Sequence, residues 1–350
     1  MKTIKEIAQE AHVSEGTVDR VLHNRGGVSK KTEEKVKAII KAYNFSVNPV
    51  ASALALKNKF TIAALIPVNN KSDLFWKSPH LGITKAAEDV KTFGTQVHTQ
   101  TYNQQKPESY LETFHKLLKE QPSAFIIAPS FYNETKEIVT ILEAQNIPYI
   151  FLNIEIEGFN NLSFVGQDSF TAGYIAAKLI QPKTLETSQF LIIQSRKNIT
   201  SNNAVFKRIE GFKNYFLKNK MSHNILTLEI ESQDSKATRQ TKINSFLNEH
   251  PNIKGVFVPS SRIHMIVDCI SDQYLNALEL IGFDNTPQNI ECLMHDSVSF
   301  LISQKPFDQG YNAIKLMNDY LVKNVIPNHK IYLPIDILIK ENVIYNENSY

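Results

Sequence analysis

The opening stretch 3–22, TIKEIAQEAHVSEGTVDRVL, leaves the chain few choices of local structure. Thr3, with Glu6 three residues on, forms the sequence signature of a capping box. Ile4, Ile7, Ala8 and Ala11 recur at helical spacing and give one apolar face. After a turn at His12 and Val13, Ser14 caps a second helix whose Val18, Val21 and Leu22 point back at the first. Glu15, Gly16, Thr17, Asp19 and Arg20 are left facing outward near that helix's start. Two short capped helices with an exposed N-terminal turn have the shape that enters a major groove. A helical hairpin that only packs on its own domain shares the pattern, so charge has to separate the two. The first sixty residues hold eleven Lys and Arg against six Asp and Glu, a net charge of +5, while the remaining 290 are net −2. A basic end on a near-neutral body favours a polyanionic partner.

Past the pair, 23–28 (HNRGGV) reads as a turn, and Ser29 as the cap of a third helix over about 30–43. Val36, Ile39, Ile40 and Tyr43 form its inward stripe and close a three-helix core. Of its outward lysines, Lys30 and Lys31 stand nearest the helix start, where unpaired N–H groups also attract phosphate. Residues 48–55 (NPVASALA) open with a good N-cap in Asn48 and with Pro49 at the first helical position. Two turns are too short to stand alone in water. This helix needs DNA or a second copy of itself, with an alanine face that permits close pairing and Leu54 free to wedge into a minor groove. A weakly helical linker is the other reading.

At 350 residues and 42% hydrophobic content, the chain is long enough for two or three domains with real cores. Cys269 and Cys292 stand far apart with no metal-ligand spacing, which fits a reducing compartment. The N-terminus lacks a signal-peptide run and no stretch is long enough to span a bilayer, so a cytoplasmic protein is expected. From 61 onward, apolar strands alternate with amphipathic helices: strands at 61–67, 96–101, 124–128 and 148–152, with helices near 82–93, 108–119 and 134–145. The alternation repeats with strands at 162–165, 190–193, 225–229, 255–258 and 278–282, and helices near 171–180, 205–218, 237–247 and 265–273. The tail adds 292–294, a helix across 310–321 and a strand at 332–335. This pattern predicts an α/β body of two lobes, each a doubly wound parallel sheet covered on both faces. The apolar pattern lapses near 153–161, and the lobe boundary is expected there.

Ligands of open α/β sheets sit outside the carboxyl ends of the strands. Asn153, Asp168, Ser260, Ser261 and Asp284 fall at or just past such ends, Arg208 near the start of a helix, and Gln304 just before Pro306. Together they offer donors and acceptors for a polyhydroxylated ligand, and Phe75 and Trp76 could stack on its apolar face. Taken singly, each is as readily a cap or loop residue. There is no GxSxG, P-loop, GxGxxG or HExxH, and no cofactor or metal is expected. Asp168 and Asp284 fit a pair of hydrolase carboxylates or plain acceptors of sugar hydroxyls.

Thr3-Ile4-Lys5-Glu6-Ile7-Ala8, Ala11-His12-Val13-Ser14 and Thr17-Val18-Asp19-Arg20-Val21-Leu22 resemble the head of the LacI/GalR family of bacterial transcription repressors. The resemblance continues in register through Val28-Ser29, Lys31-Thr32 and Lys35-Val36 to Asn48 and Ala51-x-x-Leu54. It implies a helix-turn-helix domain over 1–46, a hinge helix and linker over 47–59, and a two-lobed effector-binding and dimerisation domain over 60–350. Lobe 1 is expected at about 60–160 and 285–322, and lobe 2 at about 161–284 and 323–340.

On DNA the resemblance implies base reading by Glu15 and Gly16, with Arg20 also facing DNA. Thr3, Ser14, Thr17, Ser29 and Lys30 would be held near phosphates, and His23 and Asn24 would lie in the same interface. Asn48, Ala51 and Leu54 would act in the hinge. Asp19, Ser52 and Val47 depart from residues usual in the family, which implies a different operator preference and weaker hinge contacts.

The body resembles the family's effector domain, itself similar to periplasmic sugar-binding proteins. Asp168-Ser169-Phe170-Thr171-Ala172-Gly173, Arg208-Ile209-Glu210-Gly211-Phe212, Gly282-Phe283-Asp284 and Ile302-Ser303-Gln304-Lys305-Pro306 carry that likeness. It implies that Phe75, Trp76, Asn153, Asp168, Arg208, Ser260, Asp284 and Gln304 bind a sugar or sugar derivative. Arg262, following Ser260-Ser261 where the family commonly places Asn-Asp, would favour an acid or phosphate group. The expected protein is a homodimeric repressor that binds double-stranded operator DNA under control of that ligand, not an enzyme and not a membrane protein. Two other classes stay open: a sugar-binding transport component, and a sugar enzyme with an attached DNA-binding head.

Overall fold

The computed structural model describes residues 3–22, 26–43, 45, 59–69, 74–180, 188–194, 204–220, 225–231 and 234–346. The chain divides into two compact units, Met1–Lys57 and Asn58–Tyr350. The first unit contains α1 (Ile4–Ala11), α2 (Glu15–Leu22) and α3 (Lys30–Ala42). Ile7, Ala8, Ala11, Val18, Val21 and Val36 form its buried core, with Ile39 and Ile40 packed at its edge. Tyr43 departs from the expected stripe. It is 47% exposed, and its hydroxyl donates to Glu10 at 3.1 Å, so a ring with a polar tip stays at the surface of so small a core. Asn48, Ala51 and Leu54, with the expected hinge helix, lie outside the described residues, as do His23 and Asn24.

The second unit begins with β1 (Phe60–Pro67), α4 (Lys77–Lys91), β2 (Thr95–Tyr102), α5 (Pro107–Leu118), β3 (Ala124–Ile127), α6 (Tyr132–Ala144), β4 (Tyr149–Leu152) and β5 (Ser163–Gly166). It continues with α7 (Ser169–Ile180), β6 (Gln189–Gln194), α8 (Ala204–Lys218), β7 (Ile225–Glu229), α9 (Lys236–Glu249) and β8 (Ile253–Phe257). Then come the short helices α10 (Ile263–Val267) and α11 (Asp272–Leu275), β9 (Glu279–Phe283), α12 (Pro287–Met294), β10 (Phe300–Ser303) and α13 (Pro306–Lys323). After these come β11 (Lys330–Tyr332), β12 (Asp336–Leu338) and a 3-10 turn at Val343–Tyr345.

These strands form two six-stranded sheets, in the orders β11-β5-β4-β3-β1-β2 and β12-β10-β9-β8-β6-β7. The pairings are parallel except β10 with β12. Alternation along the strands separates the faces. Ile62, Ala64 and Ile66 pack with α4 and α13, while Ala63 and Leu65 pack with α5 and α6. In the second sheet Phe190 and Ile192 meet α7 and α8, while Leu191 and Ile193 lie on the side of α9 and α10. Both faces of both sheets are therefore covered, as near-continuous apolar strands require.

Three strand assignments differ from the sequence reading and move the lobe boundaries. Strand β5 pairs with β4, so the first lobe runs past 160 to Gly166. Strand β10 pairs with β9 in the second sheet, although 285–322 was expected in lobe 1. Strand β11 returns to the first sheet beside β5, although 323–340 was expected in lobe 2. Residues 292–294 end α12, the FLIS run of β10 is a strand the sequence reading did not place, and the strand expected at 332–335 falls between β11, which ends at Tyr332, and β12. Each error has one cause: strands of three or four residues carry no periodicity of their own, and the crossovers decide which sheet receives them.

Candidate functional site

In the head, three side chains cap three helix starts. Thr3 accepts from the Glu6 amide while Glu6 accepts from the Thr3 amide at 2.7 Å, completing the capping box. Ser14 accepts from the Thr17 amide at 3.2 Å, and Ser29 from the Thr32 amide at 3.3 Å. Ser14, Glu15, Gly16 and Arg20 are exposed, and Thr17 is half-buried by its hydroxyl pairing with Ser14 at 2.9 Å. Thr3, Ser29 and Lys30 are exposed as well. The outward set expected on α2 thus shares the start of one helix, where unpaired amides add positive potential. Lys37, by contrast, is tied to Glu33 at 2.5 Å.

In the body, a cleft of about 580 Å³ is lined from both lobes. Lobe 1 contributes Phe75 and Trp76, the turn after β2 (Gln104, Gln105), the turn after β3 (Ser130 to Glu134) and Asn153 after β4. Lobe 2 contributes the start of α8 with Arg208, then Ser260, Ser261 and Asp284, and Gln304 follows β10. These positions lie past the carboxyl ends of strands or at the helix starts that follow them, as the general rule requires.

Two glycines fix where α8 stands. A Cβ at Gly173 would lie 1.9 Å from the Arg208 carbonyl oxygen, and one at Gly211 would lie 1.9 Å from that of Phe170. Only a pair of facing glycines lets α7 and α8 approach this closely. Arg208 is then buried, its Nη1 donating to the Pro259 carbonyl at 2.9 Å and its guanidinium lying 3.8 Å from the centre of the Phe283 ring. Burial pulls its pKa down to about 10, and the nearby Asp284 charge opposes the shift. Asp284 and Asn153 both adopt left-handed backbone, with φ of 70° and 67°, a region that Asp and Asn tolerate better than most residues. Asn289 braces the first of these turns, donating from Nδ2 to the carbonyls of Phe283 and Asp284.

Seven of the expected ligand residues meet in this cleft: Phe75, Trp76, Asn153, Arg208, Ser260, Asp284 and Gln304. Phe75 and Trp76 pack edge-to-face at 5.2 Å and are also part of the core beneath it. Asp168 and Arg262 are not among its lining residues. Asp168 caps α7, its two carboxylate oxygens accepting from the Thr171 amide at 2.9 Å and hydroxyl at 2.6 Å. A carboxylate after a strand and before a helix suits a ligand or an N-cap equally, and here the cap takes it. Arg262 occupies the position before α10, next to the lining residue Ser261. Gln104, Gln105, Ser130 and Glu134 were not anticipated. The signal was available, since they follow β2 and β3 as the others follow their strands.

Among the described residues, no group of three or more His, Cys, Asp and Glu could hold a metal ion, and no helix is long and apolar enough to cross a membrane. A family model for bacterial regulatory proteins of the lacI type matches residues 3–48, and one for a periplasmic binding protein domain matches residues 62–324. The chain is 28% identical over 365 aligned residues to the ribose operon repressor of Halalkalibacterium halodurans, covering 100% of this chain and 99% of that one. It is 24% identical to catabolite control protein A of Priestia megaterium, over 97% of this chain and 98% of that protein. Among solved structures, one described as a LacI transcriptional regulator from Bacteroides fragilis superposes with a TM-score of 0.74 at 28% identity. That match covers 82% of this chain and 99% of the other.

Proposed function

We propose, from the premise that this chain belongs to the lacI family of bacterial regulatory proteins and carries a periplasmic binding protein domain, that it is a sugar-controlled repressor. In this reading it binds a near-palindromic operator as a homodimer, with two heads related by the two-fold axis. A sugar or neutral sugar derivative closes the two lobes on itself, and hinge segments transmit the closure to the heads. The observation that carries the reading is the convergence of Asn153 from one lobe with Arg208 and Asp284 from the other on one cleft. A ligand touching both lobes has different affinities for their open and closed arrangements, which is what allows it to shift them.

On the DNA side, Glu15 reads bases, Gly16 stands at a base-reading position where it can make no bidentate contact, Arg20 faces DNA, and Ser14, Thr17, Ser29 and Lys30 hold the backbone. His23, Asn24, Asn48, Ala51 and Leu54 belong to the same proposal through the family resemblance. Two relatives of similar identity bear different names, a ribose operon repressor and a catabolite control protein. The sugar is therefore proposed by class alone.

Selection of purified protein on a randomised DNA library, repeated across a panel of sugars and sugar acids, tests the reading. The expected result is a two-fold symmetric site whose occupancy changes with one neutral sugar. A symmetric site indifferent to every compound would remove the effector half, and no selective recovery at low salt would remove the whole.

A further inference from the structure

Four buried side chains cross the floor of the cleft from one lobe to the other. Asn153 Nδ2 donates to Gln304 Oε1 at 3.2 Å and to Gln309 Oε1 at 3.0 Å. Gln304 Nε2 donates to Asp284 Oδ1 at 2.7 Å, and Gln309 Nε2 donates to the Gln304 main-chain carbonyl at 2.8 Å. Asn153, Asp284 and Gln304 line the cleft, whereas Gln309, in the first turn of α13, is 0% exposed and lies behind them.

The direction of every bond in this chain is forced. An amide can present either its oxygen or its nitrogen to a neighbour, and the network decides which. Two groups in this network cannot donate: the Asp284 carboxylate and the Gln304 carbonyl. The first obliges Gln304 to turn its Nε2 toward Asp284 and its Oε1 toward Asn153. The second obliges Gln309 to turn its Nε2 down and its Oε1 toward Asn153. Asn153 then faces two carbonyl oxygens and must give each a hydrogen from Nδ2. Both donors are spent, and Oδ1 is what it has left for the cleft.

We infer that Gln309 is a positioning residue that completes the polarity of the cleft floor by taking the second Asn153 hydrogen, so that Asn153 offers a ligand an acceptor only. The group bound there must bring a donor. A sugar hydroxyl satisfies it, while a carboxylate, a keto oxygen or an ether placed at the same point meets Oδ1 with a second lone pair. The inference deepens the sugar-effector reading and its ligand part rests on it, but the relay itself exists without ligand.

The ligand-free full chain, labelled with ¹⁵N-asparagine, tests the relay by solvent exchange of the Asn153 side-chain amide. Both protons are expected to be protected in the wild type, and the one bonded to Gln309 to exchange at least about tenfold faster in Gln309→Met, which keeps length and loses that bond. Equal exchange in the two proteins overturns the inference. So does one rapidly exchanging proton in the wild type, a result that needs no folded variant. Calorimetric titration with D-ribose and D-ribonate then reads specificity. The wild type is expected to prefer the sugar to its acid, and Gln309→Met to lose about tenfold of that preference as the Nδ2 hydrogen that Gln309 held becomes free to donate to the ligand. A preference unchanged by the substitution rejects the positioning role. If neither probe binds the wild type, the sugar reading is damaged while the exchange experiment still decides the relay.

Discussion

Arg208 illustrates how a residue proposed to bind the ligand can be held at little net benefit to the fold. Its guanidinium is buried and its pKa is pulled down from the ordinary arginine range to about 10, because burial disfavours the charge more than Asp284 restores it. Each pKa unit is worth about 1.4 kcal/mol, so the charged form works against folding by on the order of 3 kcal/mol. For a base with a lowered folded pKa, that penalty is in force below about pH 10 and fades as pH rises toward the unfolded value. Against it stands the charge-assisted bond to Pro259, worth roughly 1.5–3 kcal/mol. The two nearly cancel. Arg208→Met is therefore expected to abolish sugar binding in a titration while changing unfolding free energy at pH 7 by less than about 2 kcal/mol. A loss of more than about 4 kcal/mol would show the arginine to be a structural strut. In the head, Arg20→Ala should weaken binding to all DNA sequences alike and lower the salt slope by about one charge, because an exposed arginine on phosphate reads no base. A change confined to some sequences would instead make Arg20 a base-reading residue.

Helix pairs hold these side chains in place, and both lobes use the same device. Gly173 and Gly211 seat α7 against α8, while Gly82 and Gly310 seat α4 against α13, where added Cβ atoms would lie 2.0 Å and 2.1 Å from main-chain oxygens. Gly211→Ala must push two backbones apart by more than 1 Å, at a cost of about 1–3 kcal/mol and a fall in melting temperature on the order of 5 °C. Because Arg208 lies one turn from Gly211 on the same helix, sugar affinity should fall with stability. Gly26→Ala, which meets nothing within 4 Å, is the control expected to leave melting unchanged. Equal melting of the two variants would sink the argument.

What was legible in the sequence follows the range of each interaction. Thr3 with Glu6, Ser14 with Thr17 and Ser29 with Thr32 are pairs three residues apart, so letters alone revealed them. Asn153 and Asp284 were placed at the cleft because a strand end is a local mark, and Arg208 because a helix start is. The cap at Asp168, the sheet that takes β10, and the place of Gln309 behind Asn153 all depend on contacts between distant segments, which no local pattern records.

The two lobes of the body are also joined by charge away from the cleft floor. Glu155, in the loop after β4, accepts from Lys207 of α8 at 3.4 Å, from Lys330 of β11 at 2.5 Å and from Tyr332 at 3.1 Å. Burial pushes the carboxyl's pKa up, but the Lys330 hydrogen bond and the two lysine charges outweigh it and hold the group below the ordinary range. The carboxylate therefore stays charged at neutral pH, and its contribution is lost only as pH falls through the acidic range. Lys330 and Tyr332 belong to the same lobe as Glu155, so only the Lys207 arm spans the two lobes.

That asymmetry makes the arm removable without leaving an orphaned charge. Lys207→Met should leave the melting temperature almost unchanged, since Glu155 keeps two partners. On the premise that this pair forms when the lobes close, the closed arrangement loses a half-buried ion pair worth up to about 1 kcal/mol, so sugar should bind roughly two- to fivefold more weakly. Operator affinity must then respond less to a fixed, subsaturating sugar concentration, because fewer molecules are occupied, and the factor by which sugar changes operator affinity must equal the factor by which operator changes sugar affinity. Titrations of sugar and operator, each with the other absent and saturating, separate these quantities. Unchanged sugar affinity would mean that Lys207 and Glu155 meet equally in the open and closed arrangements. In that case closure is governed by the cleft alone.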